Sequence, residues 1–144
     1  MSASPETSTV LVYSDDPSVR EQVRLALGPR PSPDLAQVAY VDAASQEEVL
    51  QAVDAGGVDL CVLDGEAWPS GGMGLCRQLK AEIRDCPPCV VITGRHDDRW
   101  LASWSQADAV LTHPLDAFEA VAAVVPLLGA RQGSTATARH GAAS

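Results

Sequence analysis

Short runs of apolar residues alternate along the chain with longer stretches in which apolar positions recur every three or four residues. A strand of a parallel sheet is buried on both faces and is therefore apolar along its length. The short runs predict strands at residues 9–14, 36–42, 58–64, 88–93 and 107–113. The longer stretches have the helical period and predict helices at residues 17–27, 45–57, 72–85, 97–106 and 114–129.

Residues at the ends of the predicted helices agree with these boundaries. Pro17 stands at a favourable first helical position. Ser45 and Glu48 have the spacing of a capping box, in which each side chain satisfies a backbone N–H of the first turn. Pro126 is expected to kink or end the last helix, because proline removes a helical hydrogen bond.

Alternating strands and helices without internal repeats favour a parallel sheet that helices cover on both faces. We therefore expect a doubly wound α/β fold, with a five-stranded parallel sheet in the flavodoxin-like order 2-1-3-4-5. The domain is expected to span residues 9–128. The flanking residues 1–8 and 129–144 are polar and small, and we expect them to be disordered.

The charge of the chain limits its partners. The formal net charge is −9 at pH 7, which argues against direct binding to nucleic acid or to an anionic membrane surface. No apolar run is long enough to span a bilayer, and the first residues lack the features of a signal peptide. We therefore expect a cytoplasmic protein.

The four cysteines do not form a familiar motif. Cys61 and Cys76 lie in apolar segments and are expected to be buried as small hydrophobic residues. Cys86 and Cys89 form the close pair "CPPC", which precedes an apolar run instead of opening a helix as a thioredoxin-type motif does. A zinc site would need a second ligand pair. We favour incidental thiols in a reducing compartment over a redox or metal site.

Polar residues stand where the predicted strands end. These are Asp15 and Asp16 after the first strand, Asp64 at the third, Thr93 at the fourth and His113 at the fifth. Ligands of doubly wound sheets bind beyond the carboxyl ends of the strands. Three carboxylates, a hydroxyl and an imidazole are therefore expected to meet in one crevice.

Carboxylates that lie this close repel one another unless a cation lies among them. Mg²⁺ prefers hard oxygen ligands and neutralises charge on transferring phosphoryl oxygens. Asp64 would then act as a nucleophile toward a phosphoryl donor and form an acyl phosphate. The Thr93 hydroxyl would bind a phosphoryl oxygen, and Gly94 would leave room for it.

Each of these residues also has a purely structural interpretation. Asp15 could cap the first helix, Asp64 could begin a turn, and Thr93 is an ordinary β-branched strand residue. Their joint placement at adjacent strand ends favours a functional site.

With these residues, the chain resembles the CheY-like receiver domain of bacterial two-component response regulators. The matching residues are Asp15 and Asp16 after "VLVYS", Asp64 after "VDLCVL", Thr93 in "VVITG", and the "HP" that follows the fifth strand. The resemblance covers residues 9–128.

The resemblance implies Mg²⁺-dependent transfer of a phosphoryl group from a kinase phosphohistidine to Asp64. Asp15, Asp16 and Asp64 would hold Mg²⁺ together with the backbone carbonyl of Glu66. Thr93 matches the hydroxyl that moves to meet the phosphoryl group.

The chain departs from the family pattern around this site. His113 stands in place of the usual lysine, and histidine is shorter and only partly charged near pH 7. Val110 stands in place of the aromatic switch residue, and Pro69 follows the acceptor by one residue more than is usual. The bond between His113 and Pro114 is expected to be cis, as it is in the family.

The tryptophans have two interpretations each. Trp68 either packs on the following helix or shields the pocket. Trp100 and Trp104 are four residues apart on a predicted helix, and they either face the core or form a partner surface.

We expect a stand-alone signalling receiver, not an enzyme, that accepts a phosphoryl group on Asp64 and acts by protein–protein contact. A sensor histidine kinase or a phosphotransfer protein would be its partner, and the resemblance also implies a homodimer. The alternative is a phosphorylation-independent interaction module with the same fold. A flavodoxin-like enzyme or cofactor binder is disfavoured, because two acids follow the first strand, where a flavin phosphate would bind.

Overall fold

The chain folds into alternating strands and helices, as its hydrophobic pattern predicts. The computed structural model describes residues 7–67, 71–94 and 104–143. The strands are β1 (Thr7–Tyr13), β2 (Gln37–Ala43), β3 (Leu60–Asp64), β4 (Cys89–Thr93) and β5 (Ala109–Thr112). The helices are α1 (Pro17–Leu27), α2 (Gln46–Ala55), α3 (Gly72–Glu82) and α4 (Ala117–Ala143). Most of the helix predicted at 97–106 lies outside the described residues.

The sheet has the predicted topology. Its strands are all parallel and lie in the order β2-β1-β3-β4-β5, which confirms the doubly wound α/β fold. Two clusters of buried side chains cover its two faces. Val10 and Val12 of β1 belong to the cluster under α1 and α4, whereas Leu11 and Tyr13 belong to the cluster under α2 and α3.

Two helices begin as the sequence predicts. Pro17 occupies the first turn of α1. Ser45 caps α2 by accepting a hydrogen bond from the Glu48 N–H at 3.3 Å. The Glu48 carboxylate accepts one from the Ala44 N–H at 2.8 Å, one residue before the cap. Gly56 ends α2 with φ of 83°, a conformation that residues with a Cβ rarely adopt.

The predicted start of the last helix is wrong by three residues. The sequence analysis began this helix at Pro114, but the backbone becomes helical only at Ala117. The Asp116 carboxylate accepts a hydrogen bond from the Glu119 N–H at 3.0 Å, which is the contact of a helix cap. The bond between His113 and Pro114 is cis, as expected.

The predicted end of the last helix is also wrong, because α4 continues through Pro126 to Ala143. Val124 and Leu128, on either side of the proline, are fully buried against the sheet, so packing holds the helix there. The following residues include several alanines, which have the strongest helix propensity. Within the described ranges, none of the helices is long and apolar enough to cross a membrane.

Candidate functional site

Asp64 is the last residue of β3, and its side chain is buried. Its Oδ2 accepts a hydrogen bond from the Ser14 hydroxyl at 2.8 Å. Its Oδ1 accepts one from the Glu66 N–H at 2.9 Å and lies 3.3 Å from Nε2 of His113. An unpaired buried carboxylate is costly, so these three partners compensate the burial of Asp64.

Close backbone packing fixes the position of Asp64 at the carboxyl edge of the sheet. The first residue of α3, Gly72, lies directly against the backbone of Asp64. A Cβ at Gly72 would lie 2.7 Å from the Asp64 carbonyl oxygen, so only glycine allows α3 to begin there without a backbone shift. On the other side, the Gly65 N–H donates to the Ile92 carbonyl at 2.7 Å and joins the end of β3 to β4.

Ser14 is a site residue to which the sequence analysis gave no role. It follows β1, is fully buried, and accepts a hydrogen bond from the Asp16 N–H at 3.1 Å while it donates to Asp64. Its carbonyl accepts a hydrogen bond from Arg20 Nη1 at 2.6 Å. The strand register contained the missing signal: Tyr13 pairs with Leu63, so the next residue of each strand meets the other.

The structure separates the two predicted acids, Asp15 and Asp16. The Asp16 side chain is exposed and caps α1, accepting hydrogen bonds from the Ser18 N–H and the Ser18 hydroxyl, each at 2.9 Å. These bonds lower the pKa of Asp16. The cap that the sequence analysis considered for Asp15 is therefore made by its neighbour.

Asp15 is exposed and lies near the site. Burial is the main cause of the raised pKa of Tyr13, and the charges of Asp15 and then Asp64 raise it further. The negative charges of both carboxylates therefore reach the buried Tyr13 side chain at the end of β1. Of the two predicted acids, Asp16 is the one that is engaged in the cap of α1.

Thr93 ends β4 and is fully buried. Its hydroxyl donates to the Leu111 carbonyl at 3.3 Å and lies 3.4 Å from the Thr112 hydroxyl, so these contacts join it to β5. At the next residue, a Cβ on Gly94 would lie 2.8 Å from the carboxylate of Glu66. The exposed Glu66 side chain therefore reaches across from β3 to the end of β4.

His113 reaches Asp64 although it is shorter than lysine. Its backbone N–H donates to the Thr93 carbonyl at 2.9 Å, which places the ring beside β4. Its Nε2 lies 3.3 Å from Asp64 Oδ1, and the side chain is 23% exposed. The imidazole is therefore both in contact with the carboxylate and accessible from solvent.

The oxygen groups at this edge have the chemistry of a magnesium site. Asp15, Asp64 and the backbone carbonyl of Glu66 offer the hard oxygen ligands that Mg²⁺ prefers. Among the residues that the structure describes, no group of three or more His, Cys, Asp or Glu side chains is arranged to hold a metal ion. Mg²⁺ in proteins often takes only one or two carboxylates and keeps several waters, so the donor set fits this ion.

Trp104 is exposed rather than part of the core. It is 49% exposed, and the Arg77 guanidinium lies 4.5 Å from the centroid of its ring. Arg77 also donates to the Trp104 carbonyl at 2.9 Å. Trp68, Pro69 and Trp100 lie outside the described residues, so their predicted roles stay predictions. Val110 is half-buried on β5.

Comparison with curated proteins gives related chains of nearly the same length. Two strains of Mycobacterium tuberculosis each encode an uncharacterized response regulatory protein that is 50% identical to this chain over 129 residues. The match covers 88% of this chain and 97% of each relative. No family model matches the chain.

Solved structures share the fold at lower identity. The receiver domain of the Francisella response regulator 1452 has a TM-score of 0.70 at 18% identity, and the match covers 85% of this chain and 97% of that one. TrrA, a response regulator from Thermotoga maritima solved in complex with Mg²⁺-BeF, has a TM-score of 0.68 at 24% identity, covering 83% and 98%. A CheY-like receiver domain protein from Methanospirillum hungatei has a TM-score of 0.68 at 16% identity, covering 89% and 98%.

Proposed function

Because this chain belongs to the response regulator family and has its receiver fold, we propose that it accepts a phosphoryl group on Asp64 and passes this state on by protein contact. Receiver domains are signalling proteins. The observation that carries the proposal is the convergence of the Ser14 hydroxyl, the Glu66 N–H and the His113 ring on one buried carboxylate.

In the proposed reaction, a carboxylate oxygen of Asp64 attacks the phosphorus of a phosphohistidine. An O–P bond forms, the P–N bond breaks, and the leaving imidazole nitrogen takes up a proton. The product is an acyl phosphate, which is the covalent form expected for a carboxylate nucleophile. Hydrogen bonds from Ser14 and Glu66 hold the carboxylate in one orientation, which favours attack from a fixed direction.

We propose that two side chains, His113 and Thr93, stabilise the added charge. His113 lies beside Asp64 Oδ1, so its ring is within reach of a phosphoryl group carried on that carboxylate. Thr93 is bonded to β5 in this structure, and we propose that its hydroxyl turns toward the phosphoryl group when Asp64 is modified. This movement would carry the signal from the site to β5.

Mg²⁺ is the proposed cofactor. Asp15, Asp64 and the Glu66 carbonyl would hold it, with water as the remaining ligands. When bound, it would neutralise charge on the transferring phosphoryl oxygens. Asp16 caps α1 through its Oδ1, and its Oδ2 would supply any direct metal contact.

The proposed partners are a sensor histidine kinase or a phosphotransfer protein as the donor and a second protein as the receiver of the signal. The net charge of −9 supports protein contact over binding to nucleic acid. Homodimer formation is a further proposal that rests on the family.

A second candidate is a receiver that signals without phosphorylation. Two observations favour it: the Ser14 hydroxyl bonds to Asp64, and Asp16, which was predicted as a metal ligand, caps α1. In this case the same hydrogen bonds would serve to stabilise the end of β3.

The experiment that separates the two candidates is intact mass spectrometry after incubation with acetyl phosphate, with and without Mg²⁺. The variants are Asp64→Asn and, as a matched control on an exposed face of α2, Asp54→Asn. We expect a single phosphoryl mass increment that requires Mg²⁺, persists in Asp54→Asn and disappears in Asp64→Asn.

An increment that persists in Asp64→Asn would overturn the choice of acceptor. No increment from acetyl phosphate or from a phosphorylated phosphotransfer protein would support the phosphorylation-independent candidate. Asp15→Asn is expected to raise the Mg²⁺ concentration needed for half-maximal phosphorylation more than Asp16→Asn, because Asp15 is the proposed direct ligand, whereas Asp16 caps α1.

A further inference from the structure

Four thiols gather at the end of the sheet opposite Asp64. They come from β3, α3, β4 and the segment before β4, and they are Cys61, Cys76, Cys89 and Cys86. Cys61 and Cys89 are neighbours in the strand register, and the other three thiols all raise the pKa of Cys89. Three of the thiols are fully buried, whereas Cys86 is partly exposed.

The cluster is not arranged as a metal site. All four cysteines are within the part of the chain that the structure describes, and there no group of three or more His, Cys, Asp or Glu side chains could hold a metal ion. All four are free thiols. The reactions left for such a cluster are those of free thiols, namely oxidation and disulfide formation.

Cys86 and Cys89 are placed to react with each other. Their sulfur atoms lie 3.3 Å and 3.5 Å from the same acceptor, the carbonyl oxygen of Pro87. Both thiols therefore donate to one oxygen, and both sulfur atoms lie around it at the amino end of β4.

The two thiols differ in acidity. The pKa of Cys86 is lowered to about 7, and the interaction with the Cys89 thiol is the main cause. The positive charges of Lys80 and Arg131 lower this pKa further, whereas burial and the charge of Asp108 raise it. The pKa of Cys89 is raised, by hydrogen bonds to the neighbouring thiols and by burial. A partly exposed thiolate beside a buried thiol is the arrangement of an attacking and a resolving cysteine.

An ion pair lies next to Cys86 and Cys89, at the amino end of β4. Lys80 Nζ lies 2.6 Å from Asp108 Oδ2, and the same carboxylate oxygen accepts a hydrogen bond from the Cys89 N–H at 2.7 Å. The positive charge of Lys80 is therefore fixed near Cys86, and the backbone of Cys89 is fixed with it.

We propose that Cys86 and Cys89 form a redox modification site that reacts with hydroperoxides and closes to an intramolecular disulfide. This inference goes beyond the proposed function and does not depend on it. The Cys86 thiolate attacks the terminal peroxide oxygen, the O–O bond breaks, an alkoxide leaves, and Cys86 becomes a sulfenic acid. The Cys89 sulfur then attacks the Cys86 sulfur, the S–O bond breaks, and hydroxide leaves with the Cys89 proton as water. The two thiols have then given two electrons to the peroxide.

The test uses the full reduced chain and hydrogen peroxide as the probe. The oxidised protein is unfolded, alkylated and digested with trypsin, which leaves Cys86 and Cys89 together in peptide 85–95 and the other two cysteines in a different peptide. We expect peptide 85–95 to carry no alkyl group, to be lighter by two hydrogen atoms, and to regain both alkylation sites after reduction.

Variants distinguish the two roles. Cys86→Ser should abolish the disulfide, Cys89→Ser should leave a sulfenic acid on Cys86 that dimedone traps, and Cys61→Ala should keep the disulfide. In the native protein, alkylation of Cys86 should increase as the pH rises through about 7, well below the ordinary thiol value of 9.0.

Four results would overturn the proposal. These are full alkylation of all four cysteines after peroxide treatment, a disulfide that joins the two tryptic peptides, a disulfide that survives in Cys86→Ser, and a Cys86 that alkylates only at the pH of an ordinary thiol. Circular dichroism of Cys86→Ser, whose side chain is partly exposed, checks that the variant is folded.

Discussion

The two ends of β3 and β4 bury opposite kinds of chemical group. At the carboxyl ends lie Asp64 and Thr93, and at the amino ends lie Cys61 and Cys89. A carboxylate is costly to bury without hydrogen-bond donors, and Asp64 has three partners around it. A thiol packs as a small apolar group and needs no such partners.

This difference affects how each end can be recognised. The partners that converge on a buried charge make a candidate site visible, although the same hydrogen bonds also stabilise the end of β3. Buried thiols lack such partners, and the amino end is distinguished from ordinary core packing by the Pro87 carbonyl that Cys86 and Cys89 share and by the unequal acidity of these two thiols. Four variants at the carboxyl end test how its groups are held, in order of decreasing effect on stability.

The largest effect is expected from Gly72→Ala at the carboxyl end. The new Cβ would meet the backbone of Asp64 at 2.7 Å, and such overpacking should lower the free energy of unfolding by about 3 kcal/mol. Gly74→Ala is the matched control on the same helix, because no atom lies within 4 Å of its Cβ position. Urea denaturation should show the control to be as stable as the wild type or more stable by about 0.5–1 kcal/mol. Equal stability of both variants would contradict the close packing of α3 on β3.

A smaller loss is expected from Ser14→Ala, which removes one donor from the buried carboxylate. Leaving Asp64 with one partner fewer should cost about 1–2 kcal/mol of unfolding free energy. A double-mutant cycle with Asp64→Asn should show that the two effects do not add. Additive effects would mean that the Ser14–Asp64 hydrogen bond contributes nothing in solution.

Asp16→Ala should destabilise α1 less than Ser14→Ala destabilises the site, because the cap is exposed. Since the folded pKa of Asp16 is lowered, its contribution is present above the ordinary value of 3.8 and is lost as pH falls through the lowered pKa. Thermal unfolding should therefore separate the variant from the wild type at neutral pH and bring them together in acid. Asp16→Asn keeps an oxygen for the cap and should stay close to the wild type at neutral pH. A difference that is independent of pH would contradict a role of the ionised carboxylate.

The smallest effect on stability is expected from His113→Lys, which replaces a partly exposed ring by a permanent charge. This variant should instead raise the rate of Mg²⁺-dependent phosphorylation several-fold, because the ammonium group would stabilise the phosphoryl oxygens. His113→Gln is the control, since it keeps a polar side chain without the charge. No gain in rate for the lysine variant would show that His113 fully serves this role.

The fold could be predicted because its signal is distributed over the whole chain. Apolar runs such as residues 60–64 and 89–93 are buried along their full length, which only a parallel sheet with both faces covered explains. A local signal also predicted Ser45 as a cap, and the family resemblance predicted the cis bond before Pro114. The end of α4 could not be predicted, because packing on both sides of Pro126 outweighs its local preference.

The sequence predicted those site residues that lie at strand ends, because the strand ends themselves could be located. Asp64, Thr93 and His113 were assigned correctly to strand ends at one edge, and Asp64 and His113 are in contact. The sequence could not distinguish Asp15 from Asp16, because two neighbouring acids after the same strand both fit a helix cap and only the backbone decides which of them caps α1. Ser14 was missed because its contact with Asp64 depends on the register between β1 and β3.

The most direct test of the central claim is to locate the phosphoryl group by borohydride reduction, which converts an aspartyl phosphate to homoserine. The protein would be incubated with Mg²⁺ and acetyl phosphate, reduced, digested and sequenced by mass spectrometry. The account predicts homoserine at position 64 and an unmodified aspartate at positions 15 and 16. Homoserine at another position, or none after incubation with a phosphorylated phosphotransfer protein as well, would contradict it.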